Sequence, residues 1–293
     1  MTSPKQLVQP RPPARRRRQR GAVARAIPVY LLLLAGAIIT LAPLVFSIVT
    51  AFTTPGQFAR SSGVPIPDPW TLENFELLFT GRAEIGRAIG VTVAMTAVIA
   101  LGQLFFSILA AYAFARIQFP GRELLFWTYL SGLMVPAIVQ VIPLYLMFTQ
   151  AGLRNTFWAL VVPFVLGSPY AIFLLREYFR GIPVDLVDAA RLDGAGHGRI
   201  LALIIVPLSR PIIVTLLLIT VVSQWNSFLW PQVSTTGTDV RVLTVATATL
   251  QGEHNDNWTV VMAATTLALV PLVALFLVFQ KQILRSITIT GFK

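Results

Sequence analysis

Long stretches without any charged residue divide the chain into apolar segments. Lys, Arg, Asp and Glu are absent from residues 26–59, 88–115, 124–153, 155–175, 211–238 and 257–280. An α-helix needs about 20 consecutive apolar residues to cross the hydrocarbon core of a bilayer, and each of these stretches is long enough. The pattern therefore predicts an all-α, polytopic membrane protein whose six transmembrane helices lie within residues 27–285.

The composition also indicates a protein that lies in the membrane rather than in water. Hydrophobic residues make up 55% of the chain and charged residues 12%, whereas soluble domains carry about 25% charged residues. Cysteine is absent, which excludes disulfides, thiolate nucleophiles and thiolate-bound metals. The two histidines, His197 and His254, lie far apart in the sequence. The sequence therefore predicts neither a catalytic residue nor a metal site.

The distribution of basic residues indicates the orientation. If both termini are cytoplasmic, 18 of the 23 Lys and Arg residues fall on the cytoplasmic side and five fall outside. This excess agrees with the positive-inside rule. Residues 1–26 form a basic arm that is predicted to be a disordered topological anchor, with a nucleic-acid or anionic-lipid patch as the alternative. Residues 286–293 are predicted to form a cytoplasmic C-terminal tail.

A polar segment between the fourth and fifth predicted helices differs from the other connections. Pro183 suits the first turn of a new helix, and Asp188 lies near its positive N-terminal end. Gly194 can end this helix about ten residues after it begins, and Pro207 and Pro211 mark a bend on the way back into the membrane. The pattern predicts a short helix over about 183–197 that lies across the cytoplasmic face, although an ordinary surface helix would carry the same residues.

The predicted spans lack the groups that several other membrane proteins use. A proton-coupled transporter places Asp, Glu, His or Lys inside the membrane, and the six stretches contain none. No Gly-Lys dipeptide occurs in the chain, so the phosphate-binding P-loop is absent. Uphill transport by this chain would therefore need an ATPase in another polypeptide. A self-sufficient secondary transporter driven by an ion gradient, or a membrane-embedded enzyme, is the alternative.

Residues 188–207 read Asp-Ala-Ala, three residues, Gly, nine residues, then Ile-x-Val-Pro. This pattern resembles the EAA signature of permease subunits of bacterial ABC importers, with Asp188 where Glu is usual and Val206 where Leu is usual. Its extension to Ala195 is similar to the version found in carbohydrate importers of the maltose type. Further matches lie at 110–116, 119–122, 134–136, 143–145, 152–156, 225–231 and 291–293.

The resemblance implies a type I ABC importer permease fold in the bacterial cytoplasmic membrane. It implies that 183–197 is a coupling helix, which seats in a cleft of a cytoplasmic ATPase subunit and places Asp188 in an ion pair with a basic residue there. The residues expected at this contact are Asp188, Ala189, Ala190, Asp193, Gly194, Ala195 and Pro207. The C-terminal residues expected to reach the ATPase subunits are Gly291, Phe292 and Lys293.

The same resemblance implies an assembly of several chains. Two nucleotide-binding ATPase subunits are expected to bind ATP and Mg²⁺, and a second permease, expected to be a different chain, would form the other half of the pathway. An external solute-binding protein would deliver a sugar or a related polar solute. This chain is expected to bind no cofactor, no metal and no nucleic acid.

Four residues at plausible membrane depth are candidates for the solute path. They are Gln140, Gln224, Trp225 and Asn226. An amide that is buried in lipid without a partner costs several kcal/mol, so these side chains are expected to face protein or a cavity. Sugars suit amide hydrogen bonds and aromatic stacking. Hydrogen bonding between helices, with Trp at the membrane interface, is the alternative interpretation.

Overall fold

The computed structural model describes residues 15–80, 84–253 and 257–290, which are helical and contain no β-strand. The α-helices are α1 (Arg15–Ala51), α2 (Pro55–Arg60), α3 (Glu73–Thr80), α4 (Ile85–Arg116), α5 (Arg122–Ser131), α6 (Ala137–Gln150), α7 (Phe157–Val161), α8 (Pro169–Arg180), α9 (Val184–Leu192), α10 (His197–Ile200), α11 (Val206–Leu208), α12 (Arg210–Trp225), α13 (Leu229–Ser234), α14 (Leu243–Glu253) and α15 (Trp258–Thr290). A 3₁₀ turn at Gly132–Met134 follows α5, and a π-helical turn at Leu201–Ile205 joins α10 to α11. The predicted all-α fold is confirmed.

Three helices are long and apolar enough to cross a membrane in one piece. They lie at Ile27–Ala51 within α1, at Ile85–Arg116 and at Trp258–Gln280 within α15. Two bent pairs have the composition of further spans: α5 with its 3₁₀ turn meets α6 at 99°, and the α10–α11 stretch meets α12 at 81°. The described residues therefore contain up to five candidate spans, against the six that the sequence predicts.

The predicted fourth span, at 155–175, is broken into α7 and α8. Residues 162–168 between these helices contain Pro163, and Pro169 begins α8. Proline lacks the N–H that continues a helix, and it moves the residue before it out of the helical region. Ser168 accordingly has an extended ψ of 134°. Because α7 has 5 residues and α8 has 12, neither spans a bilayer alone, and the count of six remains a prediction.

Two helices extend past the boundaries predicted for the membrane domain. The first, α1, begins at Arg15, inside the arm predicted for residues 1–26, and α15 continues to Thr290, beyond the predicted end at 285. Residues 15–26 are mainly Arg, Ala and Gln, which are good helix formers, so they can continue α1 where hydropathy alone would end it.

Helix α4 lies at the centre of the fold. It packs along α8 and α12, and it also contacts α7 and α14. Close approach depends on Gly102, where a Cβ atom would lie 2.4 Å from Cγ2 of Val165 and 3.0 Å from its carbonyl oxygen. The segment between α7 and α8 can therefore lie directly on α4.

The buried apolar side chains form two main groups at opposite ends of α4. One group lies at the Arg116 end of α4, and we call it the lower group. It includes Tyr112, Phe126, Phe179 and Val187. The other group, which we call the upper group, lies at the Ile85 end of α4 and joins this helix to α1, α3, α14 and α15. The apolar side chains of α1 are mostly exposed, as expected of a helix that faces lipid or another chain.

Candidate functional site

Helix α9 ends in a tight, fully hydrogen-bonded turn. The N–H of Gly194 donates to the carbonyl of Arg191 (3.0 Å), and the N–H of Ala195 donates to the carbonyl of Ala190 (2.9 Å). This pair of bonds is the Schellman motif, which requires a left-handed residue just after the helix. Gly194 has φ +77°, a conformation that glycine adopts without a Cβ penalty. The predicted helix end at Gly194 is therefore confirmed.

One side of α9 is anchored in the protein. Val187 is 1% exposed and belongs to the lower group, and Ala190 and Ala195 are partly buried against the same side chains. Alanine at these two positions lets the helix backbone lie close to its neighbours. The anchored side therefore fixes α9 to the rest of the molecule through apolar contacts.

The remaining surface of α9, which we call its free side, is exposed in this chain. Val184, Leu186 and Leu192 are exposed, and Leu192 is 90% exposed. Asp188 and Ala189 are exposed on the same helix. Exposed apolar side chains next to a carboxylate and a small residue are typical of a surface that another protein covers.

Asp188 forms an ion pair within the helix. Its Oδ1 lies 3.3 Å from Nη1 of Arg191, and the two side chains are 54% and 47% exposed. An exposed pair three residues apart on a helix contributes only about 0.2–0.5 kcal/mol. The carboxylate of Asp188 is therefore available to a cation from outside at little cost.

Two residues of α4 hold the ends of the segment that contains α9. The guanidinium of Arg116 donates through Nη2 to the carbonyls of Phe179 (2.6 Å) and Ile182. Tyr112, 4% exposed, hydrogen-bonds through its hydroxyl to Nδ1 of His197 at 3.0 Å. Arg116 thus binds the connection between α8 and α9, and Tyr112 binds the first residue of α10.

A buried arginine ties α8 to α5. The side chain of Arg176 is 4% exposed, and its Nη2 donates to both carboxylate oxygens of Glu123, at 2.5 and 2.7 Å. The guanidinium also lies over the ring of Phe126, 4.0 Å from the centroid, and Nε donates to the carbonyl of Phe114 at 3.4 Å. This network fixes the beginning of α5 against the end of α8.

The chain bends sharply after this region. The N–H of Val206 donates to the carbonyl of Leu201, which is π-helical pairing, and Pro207 follows directly. The axis then turns by 81° between Leu208 and Arg210. A π-turn and a proline are both common causes of helix kinks, and the bend lies between Pro207 and Pro211, where the sequence predicts it.

The residues predicted for contact with an ATPase lie mostly together. Asp188, Ala189, Ala190, Asp193, Gly194 and Ala195 occupy the last turns of α9 and the turn after it, whereas Pro207 lies in α11. Gly291, Phe292 and Lys293 lie outside the described residues. The contacts of Tyr112, Arg116 and Arg176 are not predicted by the sequence. Two signals point to these residues: Tyr112 and Arg116 lie in the motif at 110–116, and Arg176 directly follows a charge-free stretch.

The residues predicted for the solute path are divided between two helices. Gln140 is exposed on α6, where its Nε2 donates to the carbonyl of Val135 (3.2 Å). Asn226 is exposed and donates to the carbonyl of Val222 (2.8 Å), and Gln224 is partly buried. Gln140 is therefore held by the turn before α6, and Asn226 is held by the last turn of α12.

Trp225 lies in the core rather than on a free surface. It is 6% exposed, and its indole N–H donates to the carbonyl of Ala268 on α15 at 3.1 Å. A cavity of about 340 Å³ lies between α4, α5 and α8. Its lining is mainly apolar and includes Phe106, Phe114 and Tyr129, and none of the four predicted path residues lines it.

Comparison with known proteins identifies relatives over most of the chain. Residues 103–289 match the family described as the inner membrane component of binding-protein-dependent transport systems. An arabinooligosaccharides transport system permease protein of Halalkalibacterium halodurans is 32% identical over 259 residues, 88% of this chain and 92% of that protein. A diacetylchitobiose uptake system permease protein of Streptomyces coelicolor is 30% identical over 264 residues, 88% of this chain and 85% of that protein.

A third relative and a solved structure agree with these two. An sn-glycerol-3-phosphate transport system permease protein of Brucella abortus is 29% identical over 271 residues, 89% of this chain and 95% of that protein. A chain of a bacterial ABC transporter involved in the import of the acidic polysaccharide alginate superposes with a TM-score of 0.78 at 21% identity, covering 92% of this chain and 99% of that chain. At this identity the likeness shows a shared fold.

Proposed function

Because the chain belongs to the family of inner membrane components of binding-protein-dependent transport systems, it is a membrane-spanning permease subunit of an ABC importer, and we propose that residues 183–197 couple it to a separate ATPase. We name these residues the coupling segment. The observation that carries the proposal is the free side of α9, where Leu192 is 90% exposed and Asp188 is held only by an exposed pair with Arg191.

The two sides of α9 are suited to transmit movement between the ATPase and the permease. The anchored side, centred on Val187, moves with the permease, and the free side offers apolar side chains and a carboxylate to a partner. On docking, a basic residue of the ATPase replaces Arg191 as the partner of Asp188. Ala189 lets the two surfaces approach closely, and Gly194 allows the chain to turn directly after the contact.

The proposed orientation places the coupling segment in the cytoplasm. With six spans and both termini inside, 18 of the 23 basic residues are cytoplasmic, as the positive-inside rule requires. The fourth span would then consist of α7 and α8 together, with the break at 162–168 covered by α4. Residues 286–293 would lie beside the ATPase subunits.

The proposed solute is a sugar or a related polar molecule. The relatives named above are permeases for arabinooligosaccharides, diacetylchitobiose and sn-glycerol-3-phosphate. In this chain Gln140, Gln224 and Asn226 would offer amide groups to such a solute. Trp225 would support the wall of the path from within the core, since its N–H is bound to the carbonyl of Ala268.

In the proposed assembly several chains have separate roles. Two ATPase subunits bind ATP and Mg²⁺, a second and different permease completes the path, and an external solute-binding protein delivers the solute. When ATP closes the ATPase subunits, each pulls on a docked coupling segment, and the permease pair changes from inward- to outward-facing. The permease needs neither a bound cofactor nor a charge in its spans for this cycle.

The variant Asp188→Arg tests the coupling role. It places a second cation beside Arg191 on the free side of α9, so it should repel the basic partner while the protein still inserts into the membrane. ATP-dependent uptake in membrane vesicles should be lost. The matched control is Glu76→Arg, which makes the same charge change at an exposed position on α3 and should keep normal uptake.

Two results would oppose this function. Normal uptake by the Asp188→Arg variant would exclude an essential ion pair at that position. Solute transport by the purified chain alone in liposomes, driven by an ion gradient, would favour a secondary transporter. Co-purification of the chain from its native membrane with a P-loop ATPase and a second permease would support the assembly.

A further inference from the structure

Two side chains one helical turn apart on α4 hold both ends of the coupling segment. Arg116 donates to the carbonyls of Phe179 and Ile182, directly before the segment, and Tyr112 bonds to His197 at its end (3.0 Å). Residues four apart lie on the same face of a helix. Both ends of the segment are therefore attached to one face of one helix.

The middle of the segment packs in the buried apolar group that lies at the same end of α4. Val187 is 1% exposed and packs in the lower group, to which Tyr112 and Phe114 of α4 also belong. A displacement of α9 must therefore move α4 or break both polar attachments and disturb the packing of Val187. Packed and hydrogen-bonded chains of this kind are the physical means by which one site is coupled to another.

The two helices that continue the segment along the chain are less suited to carry movement. Before the segment, α8 begins directly after the break at 162–168, and it does not cross the bilayer alone. After it, the α10–α11 stretch turns by 81° before α12 begins. By contrast, α4 is an unbroken helix of 32 residues without proline, and at 1.5 Å per residue it is about 48 Å long.

The other end of α4 holds the loop between α13 and α14. Nη1 of Arg87 lies 2.8 Å from Oδ1 of Asp239, and the N–H of Leu243 donates to Oγ1 of Thr92 at 2.8 Å. The second bond is buried. One rigid helix thus contacts the coupling segment at one end and the 235–242 loop at the other.

We propose that α4 carries the movement of the coupling segment across the membrane to the 235–242 loop, and that Tyr112 and Arg116 are the positioning residues that attach it. This inference rests on the proposed function, because it takes 183–197 as the segment that the ATPase moves. In the orientation proposed above, the loop lies on the outer side, where a solute-binding protein would dock.

The test compares a variant that lacks both attachments with a matched control. The double variant Tyr112→Phe/Arg116→Gln removes the two polar contacts of α4. The control, Tyr129→Phe/Arg180→Gln, makes the same chemical changes at Tyr129, whose hydroxyl bonds to the Gly167 carbonyl, and at the exposed Arg180. Because the chain has no cysteine, Thr236→Cys adds a single thiol to the exposed part of the loop as a reporter.

Each variant is reconstituted with its partner subunits, and two quantities are measured. They are the solute taken up per ATP hydrolysed and the change in thiol labelling at position 236 when an ATP analogue binds. For Tyr112→Phe/Arg116→Gln we expect continued ATP hydrolysis, uptake per ATP lowered about tenfold, and no labelling change. The control should match the unmodified assembly in both.

Unchanged uptake per ATP together with an unchanged labelling response in the double variant would overturn the inference. If the double variant does not assemble, Tyr112→Phe alone, which removes only one hydroxyl, is measured in the same way. A response equal to that of the unmodified assembly would then overturn it. Failure of the proposed function is distinct, since the unmodified assembly itself would then show neither ATP-driven uptake nor a labelling response.

Discussion

A pair of glycine-to-alanine variants on α4 tests the packing on which this fold depends. At Gly102 a Cβ atom would lie 2.4 Å from Cγ2 of Val165 and 3.0 Å from its carbonyl oxygen, whereas at Gly90 it would meet nothing within 4 Å. Both glycines lie inside the same helix. The two substitutions therefore have the same chemistry and differ only in the space around the added methyl group.

The expected difference can be worked from these distances. Alanine is favoured over glycine in a helix interior by about 1 kcal/mol, and this gain applies at both positions. At Gly102 the methyl group must displace Val165, whose branched side chain has little rotamer freedom and whose backbone oxygen cannot rotate away. Overpacking of this kind costs about 1–3 kcal/mol. Gly90→Ala should therefore be the more stable variant by that amount.

The free energy of unfolding of each purified variant is measured by titrating SDS into mixed micelles, with the helical circular dichroism signal as the probe. Using the difference between the two variants cancels the helix propensity, including any change that the micelle makes to it. Equal shifts for Gly102→Ala and Gly90→Ala would refute the close approach of the 162–168 segment to α4.

Two further predictions concern buried polar contacts. Trp225→Phe removes the bond to the Ala268 carbonyl and should lower the unfolding free energy by about 1 kcal/mol with normal uptake; a large fall in uptake without a stability change would instead place the indole in the solute path. Asn74→Leu removes the amide, 1% exposed, that donates to the carbonyls of Ala51 and Thr53. It should cost about 2–4 kcal/mol in the same titration, and a neutral result would contradict this packing of α3 on α1.

The confirmed sequence predictions are those that depend on local chemistry. The all-α fold follows from apolar stretches that only helices can carry across a bilayer. The end of α9 follows from Gly194, because glycine adopts φ +77° readily, and the bend follows from Pro207 and Pro211, which lack an N–H. The EAA-like pattern at 188–207 predicted the family that the comparisons identified. Each of these features is decided within a few residues.

The predictions that stay open depend on neighbouring segments. The stretch at 155–175 has the hydropathy of one span, yet Pro163 and Pro169 divide it, and α4 covers the break. Trp225 has the chemistry of a sugar-binding residue, but α15 supplies a carbonyl to its N–H and buries it. Hydropathy along the chain contains no information about which helix lies beside a given side chain.

The sequence by itself therefore determined the class of the protein, its helical nature and the end of α9, because apolar length, glycine and proline act locally, and it located the segment that we propose for coupling. Only the tertiary structure decided that Tyr112 and Arg116 hold that segment and that Arg176 is paired with Glu123. These contacts join residues more than 50 positions apart. They exist because α4, α5 and α8 pack side by side, which no local pattern specifies.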